Sequence, residues 1–281
     1  MSEGIPYFGM PFLLEQAGFA GGEEQEQEQG RTMERLQKFF EQNPRGALAF
    51  SGGVDSALLV WAAARFGQDW RAYYVRSDFQ PAFELRDARQ VAEQCGLAME
   101  VLEVDALACP QIAPNPSDRC YHCKKQIFSR ILSQAQEEGY TLLIDGSNAS
   151  DDAGDRPGMR ALQEMEVRSP LREAGLTKAE VRRLSKEAGL PTWDKPAYAC
   201  LATRIPTGTP IAKGDLQRIE RGEEALASLG FRDFRLRLRG GAAVLQIPEG
   251  QQELAFEQRR EILQAVGGDF PIVALDLAAR T

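Results

Sequence analysis

Residues 51–56 read Ser51-Gly52-Gly53-Val54-Asp55-Ser56, and this hexapeptide decides the fold class. Ahead of it runs Ala47-Leu48-Ala49-Phe50, a short apolar strand, and behind it residues 57–66 form an almost wholly apolar run stopped by Gly67. The pattern is strand, glycine-rich turn, helix. Gly52 and Gly53 lack a Cβ, so the backbone can approach a ligand closely and take a positive φ. The hydroxyls of Ser51 and Ser56 and the free N–H groups of the helix start converge on one anion, and the helix dipole favours negative charge there. Such a turn holds phosphate or pyrophosphate.

The chain contains neither the G-x-x-x-x-G-K-[ST] of a Walker A loop nor a dinucleotide G-x-G-x-x-G at this turn. The string S-G-G-x-D-S resembles the PP-loop of the ATP pyrophosphatases. The resemblance implies ATP cleavage between the α and β phosphates, with Ser51, Gly52, Gly53, Asp55 and Ser56 on the nucleotide.

Working outward, helix and strand alternate. Residues 33–42 read as helix, 72–75 as a second strand, 81–96 as helix, 99–104 as a third strand, 124–136 as helix and 142–144 as a fourth strand. Thr177-x-x-Glu180 is a capping box opening a further helix, stopped by Gly189 and Pro191. Strands spaced by helices predict a parallel sheet covered on both faces, an α/β doubly wound domain over residues 31–195. After residue 195 the rhythm changes to helix (215–229), a hairpin (234–239 and 243–247) around Gly240-Gly241, helix (254–266) and strand (272–277). Residues 196–281 read as a smaller α+β domain. Residues 1–30 read as a flexible segment, because 21–30 are a low-complexity Glu/Gln tract.

The fourth strand runs directly into Asp145-Gly146-Ser147-Asn148. With strand order 3-2-1-4 this turn lies beside the first loop, in the crevice where doubly wound sheets bind ligands. Asp151, Asp152 and Asp155 add carboxylates there, and Asp151 and Asp152 are the candidates for Mg²⁺ bound with ATP.

The net charge is −8, which argues against bulk electrostatic capture of nucleic acid. No apolar run is long enough to span a bilayer, and no basic-then-apolar leader opens the chain, so a cytoplasmic protein is expected. Five cysteines, an odd number, do not make a disulfide framework and leave thiols for metal or chemistry. Cys120-Tyr-His-Cys123 is a C-x-x-C before a helix, where the helix start with Lys124 and Lys125 is expected to lower the thiol pKa. The motif alone fits a redox pair, half a zinc site or part of an iron–sulfur site; Cys95 and Cys109 read as packing residues. Cys200 stands between prolines 196 and 206 at the entry to the second domain. If the junction folds over the crevice, Cys200 joins Cys120 and Cys123, and three thiolates can hold a [4Fe–4S] cluster with one iron open. Arg235, Arg237 and Arg239 alternate along a strand and so share a face, which wants an anion.

Several strings together are similar to the LarE family over about residues 31–281. They are Asn115-Pro-x-x-Arg119-Cys-Tyr-x-Cys-Lys124, Asp145-Gly-Ser-Asn148, Asp155-Arg-Pro-Gly158, Trp193-Asp-Lys-Pro-Ala197 and Ala199-Cys-Leu-Ala-x-Arg204-Ile-Pro-x-Gly-Thr209. The resemblance implies a PP-loop fold (HUP-type, Rossmann-like) and an ATP-dependent sulfur transferase. Such an enzyme adenylates a carboxylate of a pyridinium mononucleotide and makes a thiocarboxylate for the nickel-pincer nucleotide cofactor. It also implies a homo-oligomer supplied by a sulfide source, with Arg204, Arg235 and Arg237 on the substrate phosphate. The family has two chemistries: sacrifice of the sulfur of the cysteine matching Cys200, leaving dehydroalanine, or transfer of sulfide from a [4Fe–4S] cluster on three cysteines. This chain keeps Cys120, Cys123 and Cys200 and so resembles the second type. Ser147 stands where Thr is commoner, with the hydroxyl retained. The alternatives are another PP-loop enzyme, a tRNA thiolase or an ammonia-using synthetase, and a zinc-stabilised nucleotide-binding module. The acidic balance disfavours the thiolase, and the three thiols have no role in the synthetase.

Overall fold

The computed structural model describes residues 17–151 and 157–280. Four parallel strands form the first sheet: β1 (Arg45–Ala49), β2 (Asp69–Arg76), β3 (Met99–Glu103) and β4 (Leu143–Ile144), in the order β3-β2-β1-β4 expected from the sequence. Registers such as Leu48↔Ala72 and Leu48↔Ile144 put β2 and β4 on either side of β1.

Alternation along the strands sends side chains to two cores. Leu48, Ala72, Tyr74 and Ile144 face α1 (Ala17–Gln42), α2 (Val54–Phe66) and α3 (Ala82–Cys95), together with the later α7 (Lys178–Glu187). Ala47, Tyr73, Val75 and Leu143 face α4 (Arg119–Glu137) and α5 (Pro157–Glu164). α2 is apolar nearly all round because the sheet, α1, α3 and α7 enclose it: Val54, Leu58, Leu59 and Val60 are all buried. The short α6 (Pro170–Ala174) packs against α1, and the isolated pairing Ile144↔Arg168 extends the β4 edge.

The acidic Glu/Gln tract of residues 21–30, which reads as a link, is helical backbone within α1; Glu and Gln are good helix formers. α4 begins at Arg119, five residues earlier than the apolar pattern suggests, so both thiols of the C-x-x-C lie inside the helix and not ahead of it. The expected helix over 254–266 divides at Gln258 into α9 (Gln252–Glu257) and α10 (Arg259–Val266).

The second sheet has the order β5-β6-β7, from β5 (Arg235–Arg239), β6 (Ala242–Gln246) and β7 (Val273–Leu275), with β5 and β6 antiparallel. It packs with α8 (Lys213–Ser228) around Leu216, Ile219, Leu226, Leu236 and Leu245. Phe79, Ala106 and Ile112, from the loops after β2 and β3, enter the same core. The junction is therefore a packed interface, and it carries the residues around Cys200 over the first sheet's C-terminal edge.

Candidate active site

The PP-loop closes on itself. Gly52 has φ +75°, and a Cβ there would stand 2.8 Å from the Glu84 carbonyl oxygen. The Ser51 and Ser56 Oγ atoms are 3.1 Å apart, and the Ser56 hydroxyl donates to the Gly53 carbonyl at 3.2 Å. The turn after β4 lies against this loop: a Cβ on Gly146 would meet the Ser56 nitrogen at 2.9 Å. That approach is the reason for glycine between Asp145 and Ser147. The buried Asp145 accepts from the hydroxyls of Ser147 and Ser169, both at 2.6 Å, and this fixes the turn. Asn148 Nδ2 donates to Asp55 Oδ1 at 3.0 Å.

Asp55 is not aimed at solvent. Its Oδ2 holds Lys178 Nζ at 2.5 Å. Lys178 is the first residue of α7, just after the Thr177 cap; the capping box forms as expected. A lysine there opposes the helix dipole, and that mismatch is the one mark it leaves in the sequence. Lys195 is a second cation the sequence reading did not assign, donating to Asp87 Oδ2 at 2.6 Å and to the Gly52 carbonyl at 3.3 Å. Asp151 lines the cavity and takes the Asn148 N–H on Oδ2 at 3.0 Å. Asp152 and Asp155 lie outside the described residues.

These groups enclose a cavity of about 440 Å³ that reaches from Ser51, Gly53 and Ser56 past Asp145 and Lys178 to Lys195, Tyr198 and Cys200. Cys200 is therefore a wall of the same cavity as the PP-loop. A neighbouring cavity of about 550 Å³, lined by Phe83, Phe231, Glu220 and Arg235, shares Lys195 and Tyr198 with the first.

The Asn115–Arg119 string turns out to be scaffold. Asn115, fully buried with φ +59°, donates to the Pro206 carbonyl at 2.8 Å and accepts the Gly208 N–H on its own carbonyl at 2.7 Å. Arg119 bonds Asn115 Oδ1 and the Ala202 carbonyl, the latter at 3.3 Å. The start of α4 is thereby tied to the Cys200 segment. Cys123 senses the Cys200, Cys120 and Cys109 thiols electrostatically. Burial pushes the Cys123 thiol up to about 12, and those neighbours push the same way. This corrects the expectation of a lowered pKa: desolvation outweighs the helix start. Burial also raises Cys200, with Arg119 opposing. Cys120 is exposed. All five cysteines are free, and among the described residues no group of three or more His, Cys, Asp or Glu side chains is arranged to hold a metal ion.

The arginines are placed differently from the expectation. Arg204 is fully buried and spends its guanidinium internally, on Glu223 at 2.8 and 3.0 Å, on the Ala199 carbonyl at 2.7 Å and on Thr203 Oγ1 at 2.9 Å. Fully buried and lining neither cavity, Arg204 is not placed to meet a substrate phosphate. Arg235 donates to the Ala197 carbonyl at 2.5 Å, and Arg237 donates to the Thr203 carbonyl at 2.7 Å and to Gln246. The arginine face of β5 thus grips the backbone on both sides of Cys200. Burial lowers Arg235 to about 10 and also lowers Arg237, and the other arginines of the cluster add to both shifts.

An asparagine synthase family model matches residues 40–178, the segment from the end of α1 to the start of α7. The chain is 34% identical over 238 residues to the pyridinium-3,5-bisthiocarboxylic acid mononucleotide synthase of Lactiplantibacillus plantarum, covering 83% of this chain and 86% of that one. The chain belongs to the LarE family. An uncharacterised protein of Synechocystis is 37% identical over 251 residues, 87% of this chain and 93% of that one. The tRNA-specific 2-thiouridylase MnmA of Azorhizobium caulinodans is 27% identical over 192 residues, 54% of this chain and 49% of that one. LarE membership fits a PP-loop and a cysteine in a single cavity. No helix among the described residues is long and apolar enough to cross a membrane.

Proposed function

We propose that this chain uses ATP to adenylate a carboxylate of a pyridinium mononucleotide and then replaces an oxygen by sulfur, giving a thiocarboxylate for a nickel-pincer nucleotide cofactor. The reading rests on Cys200 lining the same cavity as Ser51, Gly53 and Ser56. Activation and sulfur transfer then share one space, which keeps a hydrolysable acyl adenylate from crossing solvent.

In the first half-reaction the substrate carboxylate oxygen attacks the α-phosphorus and pyrophosphate leaves. Ser51, Gly53, Ser56 and the start of α2 receive the leaving anion, with Lys178 and Lys195 supplying positive charge. Asp55 and Asn148 keep Lys178 in place. Asp145, Gly146, Ser147 and Asn148 form the facing wall, and Asp151 with Asp152 would take Mg²⁺ bound to ATP. In the second half-reaction sulfur attacks the acyl carbon and AMP leaves.

Cys120, Cys123 and Cys200 would hold a [4Fe–4S] cluster, which when bound supplies a seat for the sulfide that is transferred. The donor chemistry supports this and the arrangement does not, since the three side chains are not grouped to hold a metal ion in this structure: all three thiols are free, one exposed and two held protonated mainly by burial, a penalty that a cationic centre reverses. The substrate phosphate would meet Arg237 and Arg235, whose pKa values are lowered first by burial and then by the neighbouring arginines, a cost that an anion relieves. The enzyme would be a cytoplasmic homo-oligomer reloaded by an external sulfide source.

The test is anaerobic incubation with ATP and carboxylated pyridinium mononucleotides, following pyrophosphate and reading product and protein by mass spectrometry. ATP-dependent exchange of oxygen for sulfur is expected. Pyrophosphate release without sulfur in any product would overturn the reading.

A further inference from the structure

The nucleotide cavity holds one carboxyl group that neither half-reaction above employs. Glu84 sits in the first turn of α3 and lines the cavity with Lys195, Tyr198 and Cys200. Lys195, the cation that acts most strongly on it, is committed to Asp87 and the Gly52 carbonyl, so among the described residues Glu84 has neither an ion pair nor a hydrogen bond on its carboxylate. Its backbone carbonyl packs under the PP-loop at Gly52, so loop and carboxyl are positioned by the same turn of helix. The titratable and charged groups around it are Asp87 on its own helix, Lys195 and Tyr198 on the segment entering the second domain, Arg204 beyond Cys200, and Tyr74 on β2. Burial raises its pKa to about 7, Asp87 adds to the rise, and Lys195 and Arg204 oppose it.

A carboxyl drawn partly out of water with no partner is costly unless it has work to do. The sulfur-transfer step needs a proton acceptor, because a sulfur nucleophile that enters bearing hydrogen must lose that proton before it stands as a thiocarboxylate. A carboxyl that titrates near the working pH is matched to that task.

We propose that Glu84 accepts the S–H proton of the attacking sulfur as it adds to the acyl adenylate. The C–S bond forms, the C–O bond to AMP breaks, AMP leaves with the electron pair, and the proton passes from sulfur to the Glu84 carboxylate. Nothing is oxidised or reduced. The assignment rests on the adenylation reading above and holds whether the S–H belongs to hydrosulfide or to a cysteine thiol.

The experiment compares wild type, Glu84→Gln and Glu84→Asp with ATP, a carboxylated pyridinium mononucleotide and sodium sulfide, under anaerobic conditions between pH 5.5 and 9. Pyrophosphate release, read in a single turnover so that a stalled second step does not limit it, reports the first half-reaction, and thiocarboxylate mass reports the second. In Glu84→Gln we expect pyrophosphate release within about threefold of wild type and thiocarboxylate formation down by about 100-fold or more at neutral pH, with acyl adenylate accumulating and trapped by hydroxylamine. Wild-type transfer should rise with pH through about 7, the glutamine variant should lack that inflection, and Glu84→Asp should recover part of the rate. Parallel loss of pyrophosphate release would make Glu84 a nucleotide-binding group and overturn the proposal, as would undiminished thiocarboxylate formation. Wild type that releases no pyrophosphate with any such nucleotide would overturn the adenylation reading itself, and this one with it.

Discussion

Lys178 Nζ stands 2.5 Å from Asp55 Oδ2, joining the PP-loop helix to α7 across 123 residues of chain. The contact explains why an aspartate, which would repel a phosphate, belongs in a phosphate-binding loop: it holds a cation against the nucleotide cavity. Asp55→Ala and Lys178→Ala should therefore each lower pyrophosphate release by roughly 10–150-fold, the range of one charge-assisted interaction of about 1.5–3 kcal/mol. The double variant should be little worse than either single one. Additive losses would show that the two act separately.

Arg204 and Arg237 should separate stability from binding. The Arg204–Glu223 pair is buried and bidentate, so Arg204→Ala leaves a buried carboxylate with its hydrogen bonds from Tyr198 and the Leu236 N–H but without its counter-ion, and should cost about 3–5 kcal/mol in denaturant unfolding. Arg237→Ala should keep most of the stability and raise KM for the mononucleotide more than KM for ATP. A stable Arg204→Ala protein would show that the pair is not the clamp its geometry describes.

The cysteines should act as one unit. Replacing Cys120, Cys123 or Cys200 by Ala should remove iron and end multiple turnover in each case. Sacrificial chemistry at Cys200 instead leaves the Cys120 and Cys123 variants one turnover and converts Cys200 to dehydroalanine, a loss of about 34 Da as H₂S. Intact mass after a single turnover distinguishes the two.

In metal-free protein the thiols should differ in reactivity. Exposed Cys120 should be alkylated by iodoacetamide at mildly alkaline pH, whereas Cys123, pushed up to about 12, should stay largely protonated and slow, with a rate that rises with pH toward that value. Because its folded pKa lies above the unfolded one, its contribution to stability is full below about pH 8.5 and is lost as pH rises toward 12. Fast alkylation of Cys123 at neutral pH would contradict the burial argument.

Local signals in the chain were sufficient for the sheet, the PP-loop, the capping box at Thr177 and the arginine alternation on β5. Each depends on neighbours a few residues apart: glycines where the backbone needs room, a side-chain oxygen three residues before the N–H it caps, a period of two along a strand. The juxtaposition of Asp145–Asn148 with the loop also followed from local reading, because parallel strand order places successive turns at one edge. The partners of charged groups were decided only by tertiary structure. Arg204, Arg235 and Arg237 look alike in the sequence, yet Glu223 takes the first and the carbonyls around Cys200 engage the others. Lys178, Lys195 and Glu84 became site residues only when chain segments about 100 residues apart folded over the same crevice. The thiol pKa changed direction for the same reason: the helix start is a local feature, whereas the burial that outweighs it comes from the core around Leu201 and Ala202 against which Cys123 packs.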